Sequence, residues 1–432
     1  MEIKREKYFN QLLKYQKNGR VKIITGVRRC GKSYLIFNLF YRYLLSQGIE
    51  QSHIISVALD EIANAELRNP LKLNKYIQDR IVDNEQYYVL IDEIQEVKPI
   101  QNPYVEDEED MLGFVEVVIG LSKKSNVDVY ITGSNSKMLS RDIVTEFRDR
   151  GDEIHMDPLT YQEFYEAYPG EKRTAWRDYY TYGGLPRVLQ LDTHEEKSLY
   201  LQRLLDETYI KDVVDRNKIR NDKKILDDLL NVVASNIGGL TNPTKLANTF
   251  ESLQKVKVNH TTIGNYLDYF EDAYIIEKAQ RYDVKGKKYL SADAKYYFTD
   301  MGLRNAKINF RQIEINHIME NIVYNELRNR GYNVDVGVVP TYTTGSTGKS
   351  ERRDLEVDFV ARKIDKTVYI QSALTLESGN KKEQESKSLI SIRDGFKKVI
   401  ITGDNVIPHY DENGFYILSI EDFLLDKNSL NK

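Results

Sequence analysis

The feature that most limits the possible folds of this chain is the octapeptide of residues 26–33, Gly-Val-Arg-Arg-Cys-Gly-Lys-Ser. It matches the pattern G-x-x-x-x-G-K-[ST] at every fixed position. Residues 21–25 before it are mostly apolar and β-branched and predict a buried strand, whereas residues 33–40 after it predict a helix. A strand that passes through such a loop into a helix is typical of a phosphate-binding loop in a parallel α/β sheet.

The spacing of this loop gives its residues distinct chemical roles. Glycines let backbone N–H groups turn inward around a phosphate, and the helix N-terminus adds the positive end of its dipole. Lys32 is expected to reach the β- and γ-phosphates of ATP, and Ser33 to give its hydroxyl to Mg²⁺. The predicted cofactor-binding residues are Gly26, Arg29, Cys30, Gly31, Lys32 and Ser33. A glycine-rich turn without a ligand is the alternative, but it does not explain the flanking strand and helix.

A second polar element follows the apolar segment of residues 87–91, which ends in Asp92 and Glu93. In a doubly wound sheet, ligands lie beyond the carboxyl ends of the strands. Asp92 is therefore placed to hold Mg²⁺, directly or through water, and Glu93 to orient and polarise an attacking water. Many buried strands also end in a solvated acidic turn, so the prediction depends on the pairing of this strand with the phosphate-binding loop.

A third element is the apolar segment of residues 127–132, which leads into Gly-Ser-Asn-Ser at residues 133–136. Ser134 or Asn135 could hydrogen-bond the γ-phosphate or the attacking water, and we take Asn135 as the catalytic candidate. The alternative is that either residue caps the next helix, as Asn and Ser commonly do.

Composition agrees with a multidomain enzyme of the cell interior. The chain has 432 residues, which predicts roughly three domains. With 62 basic and 66 acidic residues, nothing in the net charge of −4 demands nucleic acid or a membrane. The single cysteine, Cys30, excludes a disulfide framework and favours the reducing cytoplasm. Residues 1–7 are charged and lack the apolar core expected of a signal peptide, and no apolar segment approaches the length of a membrane span.

The pattern of elements predicts four segments. Residues 1–165 alternate strands and helices and predict an ATP-binding α/β domain with a parallel sheet. Residues 166–221 are mostly helical and predict a lid or connector. Residues 222–300 read helix, helix, helix and hairpin, the order of a winged helix. Residues 301–432 return to mixed α/β structure.

The predicted winged helix has two functional interpretations. Its third helix, residues 261–272, would be the recognition helix of a DNA-binding domain, and the Lys-rich turn at residues 283–288 would be the wing. That helix carries Asp268, Glu271 and Asp272, which a phosphate backbone would repel. We therefore favour a winged helix used for protein packing and keep DNA contact as the alternative.

Together these motifs resemble a family of bacterial and archaeal AAA-type ATPases, P-loop NTPases with a C-terminal domain of unknown function. The matching segments lie in order along nearly the whole chain: residues 26–33, 92–95, 132–135, 158–164, 183–186, 295–300, 320–321 and 356–360. The resemblance implies Mg²⁺ and ATP as cofactors and a homo-oligomer as the assembly. It further implies that Arg148 or Arg150 acts as an arginine finger toward a neighbouring subunit, although a pair of surface arginines at a helix end is the alternative.

The resemblance also implies that the C-terminal segment has a restriction-endonuclease-like α/β fold. Such nucleases use carboxylates to hold Mg²⁺ and a lysine to assist the attacking water. Glu320 and Asp358 match the carboxylate positions, and Gln371 stands where an acid or a glutamine is accepted. Ala373 stands where the lysine is expected. We therefore expect a degenerate nuclease-like site that does not cleave DNA.

The predicted function is Mg-ATP binding and hydrolysis, coupled to a change of conformation or assembly. An ATP-regulated protein that binds or cleaves DNA is one alternative, and a nucleotide-dependent scaffold with little turnover is another. Glu93 favours turnover because a protein that only binds ATP needs no positioned base. DNA and a client protein are both retained as candidate partners, and no membrane partner is expected.

Overall fold

Apolar segments at regular intervals in the first part of the chain form the strands of a parallel sheet. The computed structural model describes residues 2–107, 109–133, 150–219, 223–311, 314–344, 350–376 and 379–431. It divides the chain into two compact units, the first of which comprises Met1–Asp157 and Asp272–Tyr274. The strands of this first unit are β1 Val21–Gly26, β2 Ile54–Ala58, β3 Tyr87–Asp92, β4 Ile100–Gln101, β5 Met111–Leu112, β6 Val127–Thr132 and β7 Gly151–Met156.

Five of these strands form one sheet in the order β2-β3-β6-β1-β7, and all four neighbouring pairs are parallel. Strands β1, β3 and β6 are buried along their whole length, as expected for a parallel sheet covered on both faces. Because the strands are parallel, the carboxyl ends of β3, β6 and β1 lie side by side at one edge. The sequence places its polar motifs at this edge.

The helices of the first unit pack around this sheet. Asn69 caps one of them, since its side-chain oxygen accepts hydrogen bonds from Leu71 N at 3.0 Å and Lys72 N at 3.2 Å, and Pro70 occupies the first helical position. The α-helices are α1 Glu6–Tyr15, α2 Lys32–Tyr34, α3 Tyr41–Ser46, α4 Pro70–Gln78 and α5 Phe114–Ser122, and a π-helical turn, Leu35–Phe40, joins α2 to α3.

The second unit comprises Pro158–Glu271 and Ile275–Lys432 and begins as a helical segment. Two of its helices start in capping boxes, at Thr160 with Glu163 and at Thr193 with Glu196. Its α-helices are α6 Tyr161–Ala167, α7 Lys172–Tyr182, α8 His194–Leu204, α9 Lys211–Arg216, α10 Lys223–Ser235, α11 Pro243–Thr249, α12 His260–Asp272, α13 Met301–Lys307, α14 Ile315–Asn329, α15 Gly379–Ile390 and α16 Ile420–Leu425.

The strands of the second unit form one mixed sheet in the order β14-β15-β13-β12-β11-β10-β8-β9. They are β8 Ile276–Asp283, β9 Lys288–Phe298, β10 Asn333–Thr344, β11 Ser350–Lys363, β12 Lys366–Ala373, β13 Lys397–Thr402, β14 His409–Tyr410 and β15 Tyr416–Ser419. The parallel pairing of β8 with β10 joins the hairpin of the predicted winged helix to the strands of the predicted nuclease-like segment.

Asp300, part of a motif quoted above, has a structural role in this unit. It caps α13, since its carboxylate accepts hydrogen bonds from Leu303 N at 3.1 Å and from Gly184 N at 2.7 Å. A Cβ at Gly184 would lie 2.3 Å from the Leu159 carbonyl oxygen, so the backbone approaches closely there only as glycine. Burial raises the pKa of Asp300 to about 6, although these backbone donors oppose the shift.

Within the described parts of the chain, no helix combines the length and the apolar character that a bilayer span requires.

Candidate active site

The loop between β1 and α2 has the backbone conformations that allow it to surround an anion. Gly26 and Gly31 have φ values of 125° and 104°, and Arg29 is left-handed at 63°. A Cβ on Gly26 would lie 2.1 Å from the carbonyl oxygen of Met156 on β7. Val27 N donates a hydrogen bond to the same oxygen at 3.2 Å. Only glycine therefore permits this close approach of the loop to β7.

Lys32 is buried, and its ammonium points back into the loop. Its Nζ donates hydrogen bonds to the carbonyl oxygens of Gly26 and Val27, each at 3.0 Å. An ammonium has three donors, so these two bonds leave one donor for a ligand. The positive charge is thus held where the phosphates of a nucleotide would bind.

Cys30 packs the loop against the sheet. Its side chain is fully buried, and Sγ donates a hydrogen bond to Met156 O at 3.3 Å. Its backbone N–H donates to Val27 O at 3.3 Å. Burial raises the pKa of the thiol above its ordinary value, and the nearby charge of Lys32 opposes this. The thiol and the backbone N–H of Cys30 therefore both donate to backbone carbonyl oxygens of the protein, and these bonds fasten the loop to β7 and to its own first turn.

Asp92 and Glu93 are tied together by a threonine from the neighbouring strand. The hydroxyl of Thr132, at the end of β6, donates to Oδ1 of Asp92 and accepts a hydrogen bond from Glu93 N at 3.1 Å. Burial raises the pKa of Asp92, whereas hydrogen bonds from Thr132 and Ser33 lower it. Ser33 and Asp92, the two predicted Mg²⁺ ligands, are therefore brought together.

Glu93 adopts a backbone conformation that is uncommon for its residue type. Its φ and ψ are 50° and 51°, in the left-handed region, between β3 and the short 3₁₀-helix Ile94–Glu96. Residues other than glycine in this region are often found at functional sites. The Gln95 side-chain amide donates to the Glu93 carboxylate. This contact restrains the Glu93 carboxylate, and Glu93 is one of the residues that line the cleft described below.

Most of the predicted nucleotide and metal residues line a cleft of about 320 Å³, whereas Gly26 and Cys30 are not among its lining residues. Its lining residues are Arg28, Arg29, Gly31, Lys32, Ser33, Tyr34, Asp60, Asp92, Glu93 and Glu96. Asp60 was missed from the sequence, although it follows β2 and so lies at the same sheet edge as the other polar motifs. Its charge adds to the effects that raise the pKa of Asp92, and Leu59 N donates to Asp92 O at 3.2 Å.

The donors in this cleft fit a magnesium ion bound together with phosphates. Among the described residues, no three His, Cys, Asp or Glu side chains are arranged to hold a metal ion by themselves. Mg²⁺ at nucleotide sites is usually held by one or two carboxylates, with water and substrate phosphates completing the shell. The hydroxyl of Ser33 and the carboxylate of Asp92 are hard oxygen donors of the required kind.

Of the remaining predicted residues of this site, only Arg150 falls within the described part of the chain. Asn135 and Arg148 are outside the described residues. Arg150 is exposed and lies just before β7, where its carbonyl oxygen accepts a hydrogen bond from Val21 N at 2.9 Å. Strands β1 and β7 pair from Val21 to Gly26, so Arg150 lies at the opposite edge of the sheet from the loop.

The predicted nuclease-like residues come together in the second unit. Asp358 N donates to Oε1 of Gln371 at 3.4 Å, and the carboxylates of Glu320 and Asp358 both interact with the ammonium of Lys295 on β9. Burial and the charge of Glu320 raise the pKa of Asp358, whereas Lys295 lowers the pKa of Glu320 against the effect of burial. Lys295 was missed because it is far away in sequence, although it opens the motif of residues 295–300.

Comparisons with known proteins agree with the fold of the first unit. Residues 18–165 match the family described as AAA domain, and residues 173–314 match a domain of unknown function (DUF8612). The predicted AAA-type P-loop domain is thereby confirmed.

Two solved structures illustrate the range of similar chains. The Walker-type ATPase PABY2304 of Pyrococcus abyssi is 13% identical, with 71% of this chain and 96% of that chain covered and a TM-score of 0.48. The ORC1 protein of Aeropyrum pernix, solved in complex with DNA, is 12% identical, with 72% and 93% covered and a TM-score of 0.29. At these values neither structure carries an argument about what this chain binds.

Two relatives are similar over most of their length. One, an uncharacterized protein of Methanocaldococcus jannaschii, is 28% identical over 93% of this chain and 85% of its own. The other, an uncharacterized protein of Haemophilus influenzae, is 33% identical over 98% of each chain. We conclude that this chain is a member of a family of AAA-domain proteins to which the Haemophilus influenzae protein also belongs.

Proposed function

We propose that this protein binds Mg-ATP in the cleft of the first unit, hydrolyses its β–γ bond by in-line attack of water, and couples the cycle to a change of conformation or assembly. The observation that carries the proposal is the bridge of Thr132 between Asp92 and Glu93. One hydroxyl thereby fixes the carboxylate of Asp92 and the backbone of Glu93, the residue that carries the second carboxylate, at the same edge of the sheet. A protein that only binds nucleotide has no need of the second carboxylate.

The residues of the cleft divide the work of this reaction. Backbone N–H groups of the loop and the ammonium of Lys32 bind the phosphates and balance their charge. Ser33 and Asp92 would hold Mg²⁺, which supplies further charge neutralisation when it is bound. Glu93 orients the water and polarises it for attack on the γ-phosphorus. We propose the cytoplasm as the location of this reaction, because the one cysteine, Cys30, is a buried thiol that forms no disulfide, as is usual in a reducing compartment.

Two substitutions test these roles separately. Lys32→Ala is expected to lose ATP binding, because its charge contacts the phosphates in the ground state. Glu93→Gln is expected to bind ATP as the parent does and to lose turnover by about 100-fold or more, since general-base catalysis contributes on this scale. Nucleotide titration and phosphate release measure the two effects.

Glu96→Gln is the matched control, because Glu96 lines the same cleft and pairs with Lys98 at 3.7 Å. We expect the turnover of this variant to stay within about twofold of the parental rate, because Glu96 forms a solvent-accessible ion pair with Lys98 and such pairs contribute little. A Glu93→Gln protein that hydrolyses ATP at the parental rate would refute the assigned role of Glu93.

We also propose that an arginine finger is supplied by a second copy of this chain. Arg150 and the phosphate-binding loop lie at opposite ends of a six-residue strand pairing, a separation of about 20 Å at 3.3 Å per residue. Arg150 therefore cannot serve its own cleft. It is exposed at the edge of the sheet, where a neighbouring subunit of a homo-oligomer could receive it. Arg148 remains the second candidate.

We propose that α10, α11, α12 and the hairpin β8–β9 form a winged helix used for protein packing. Helix α12 buries Ile263, Leu267 and Phe270 within the protein. Burial raises the pKa of Tyr296 on β9, and the negative charges of Glu271 and Asp268 on α12 add to this. An acidic helix of this kind would be repelled by a DNA backbone.

A further inference from the structure

A second cluster of charged side chains lies in the second unit, where strands β9 and β11 and helix α14 each supply one of them. Lys295 on β9 places its Nζ 2.8 Å from Oε1 of Glu320 on α14 and 2.7 Å from Oε1 of Glu356 on β11. The side chains of Lys295 and Glu320 are only 3% and 9% exposed, and that of Glu356 is 35% exposed. One ammonium therefore joins carboxylates from a helix and from a distant strand.

Further polar groups complete the cluster. Tyr297 OH donates to Oε1 of Glu320 at 2.6 Å, so that this oxygen accepts two hydrogen bonds. Asp358 lies two residues after Glu356 on β11, on the same face of the strand, and its carboxylate accepts a hydrogen bond from Ser372 N at 2.8 Å. Its carboxyl also interacts electrostatically with Lys295 and both glutamates.

The loop after α10 closes one side of this cluster. Gly238 there has a φ of 73°, and a Cβ on it would lie 3.1 Å from Oε2 of Glu320 and 2.8 Å from Nδ1 of His317. The backbone thus lies directly against the carboxylate. A bulky substrate such as duplex DNA has no room to approach Glu320 from that side.

Converging buried carboxylates can be neutralised either by a bound metal ion or by a positively charged side chain of the protein. Carboxylates that converge from a helix and a strand are the usual ligands of a hard divalent cation. Buried carboxylates without a partner are strongly destabilising, because each charge has lost its hydration. Here a protein ammonium provides the positive charge, through a hydrogen bond to Glu320 and an ion pair with Glu356.

We propose that Lys295 is the resident cation of this carboxylate site. Its ammonium takes the position that a divalent metal ion would otherwise occupy, so the native site binds neither Mg²⁺ nor Mn²⁺ and cleaves no DNA. The cluster instead ties β9, α14 and β11 together, and loss of the ammonium opens the site to a divalent cation. This inference is independent of the proposed ATPase activity.

A working nuclease site requires a different division of roles. There, a lysine assists the attacking water while the carboxylates bind the metal. A lysine that already neutralises both glutamates blocks the metal, and the position in β12 where such a lysine is expected holds Ala373. The two interpretations predict opposite responses to added metal.

The test is to measure Mn²⁺ binding by electron paramagnetic resonance in the absence of nucleotide. The full chain should carry Asp92→Asn, so that the nucleotide cleft contributes no metal signal. We expect no Mn²⁺ at millimolar concentration in this background, one equivalent after adding Lys295→Met, and loss of that equivalent after further adding Glu320→Gln. Lys295→Arg keeps a cation and should gain nothing, and Lys278→Met, at an exposed lysine of the adjacent strand, is the matched control.

Thermal unfolding provides an independent measurement. Mn²⁺ should raise the Tm of the Lys295→Met protein and leave the parent unchanged, because only a ligand bound to the native state stabilises it. If Lys295→Met alone does not fold, Lys295→Met with Glu356→Gln removes a carboxylate charge together with the ammonium and leaves Glu320 and Asp358 for the metal. It should then bind the Mn²⁺ equivalent.

Three results would overturn the proposal. The first is Mn²⁺ binding by the Lys295-containing protein that Glu320→Gln abolishes. The second is cleavage of plasmid, linear or single-stranded DNA with Mg²⁺ or Mn²⁺ that disappears in Asp358→Ala. The third is a folded Lys295→Met protein that gains no Mn²⁺.

Discussion

Replacement of Thr132 by valine tests whether one hydroxyl organises the catalytic edge of the sheet. Valine has nearly the same shape but removes the donor to Asp92 and the acceptor for Glu93 N. A hydrogen bond to a charged group contributes about 1.5–3 kcal/mol, and a buried N–H left without a partner costs about 1–3 kcal/mol. Because Thr132 is fully buried, valine recovers part of this loss as apolar burial. We expect a net loss of about 3 kcal/mol.

Thr132→Ser is the matched control, since serine keeps both hydrogen bonds and loses only a methyl group. That loss should cost about 1 kcal/mol. For a unit of this size, about 3 kcal/mol lowers the Tm by about 6 to 12 °C, and about 1 kcal/mol by about 2 to 4 °C. Calorimetry of the two variants therefore separates the hydroxyl from the methyl group.

Turnover should respond more strongly than stability. Glu93 N–H is anchored by Thr132, and a displacement of a catalytic group by about 1 Å can cost about 100-fold in rate. We expect kcat to fall on this scale in Thr132→Val and by less than about threefold in Thr132→Ser, in assays of phosphate release at saturating ATP. A valine variant with parental Tm and kcat would show that the bridge does not position Glu93.

Other expectations concern the loop, a buried acid and the assembly. Gly26→Ala should abolish nucleotide binding and lower the Tm strongly, because the added Cβ would lie 2.1 Å from Met156 O. In the control, Gly19→Ala, the glycine has a φ of 72° but the Cβ would meet no atom within 4 Å, so the free energy of unfolding should fall by only about 1 kcal/mol. Equal losses at the two glycines would contradict this explanation. Asp300 has a folded-state pKa of about 6 against an ordinary value of 3.8. The native state therefore binds its proton more tightly than the unfolded state does, and about 3 kcal/mol of stability present below pH 4 is lost as pH rises through 6. Asp300→Asn should remove that pH dependence in urea denaturation, and parallel pH profiles of the two proteins would exclude it. Finally, specific ATPase activity should fall on dilution if Arg150 acts between subunits, whereas constant activity on dilution, together with an active Arg150→Ala protein, would exclude that role.

The sequence alone was sufficient for the features that depend on local signals. The strand, glycine loop and helix around residues 26–33 are contiguous, so their roles follow from residue type and spacing. Asp92 and Glu93 end an apolar strand and could be placed at the sheet edge by the rule for parallel sheets. The family comparison confirms the AAA-type domain that these signals predict.

Local signals were less reliable where strands extend beyond their apolar residues. Apolar and polar residues alternate at 332–337 and 355–360, a pattern that predicts strands over these two ranges with a loop between them. In the structure, β10 continues to Thr344 and β11 begins at Ser350. Polar pairs such as Tyr342 opposite Arg352 belong to this hairpin. Their strand conformation comes from cross-strand hydrogen bonds, and the residues themselves show no alternation of apolar and polar side chains.

Only the tertiary structure revealed the contacts that join distant parts of the chain. The bridge of Thr132 to Asp92 spans forty positions in sequence, and the pair of Lys295 with Glu320 joins a strand to a helix. Such contacts depend on which strands become neighbours and in what register, and a one-residue shift would turn each side chain to the other face. The sequence determined which chemical groups are present and where the chain bends. The sheet order decided which of those groups meet.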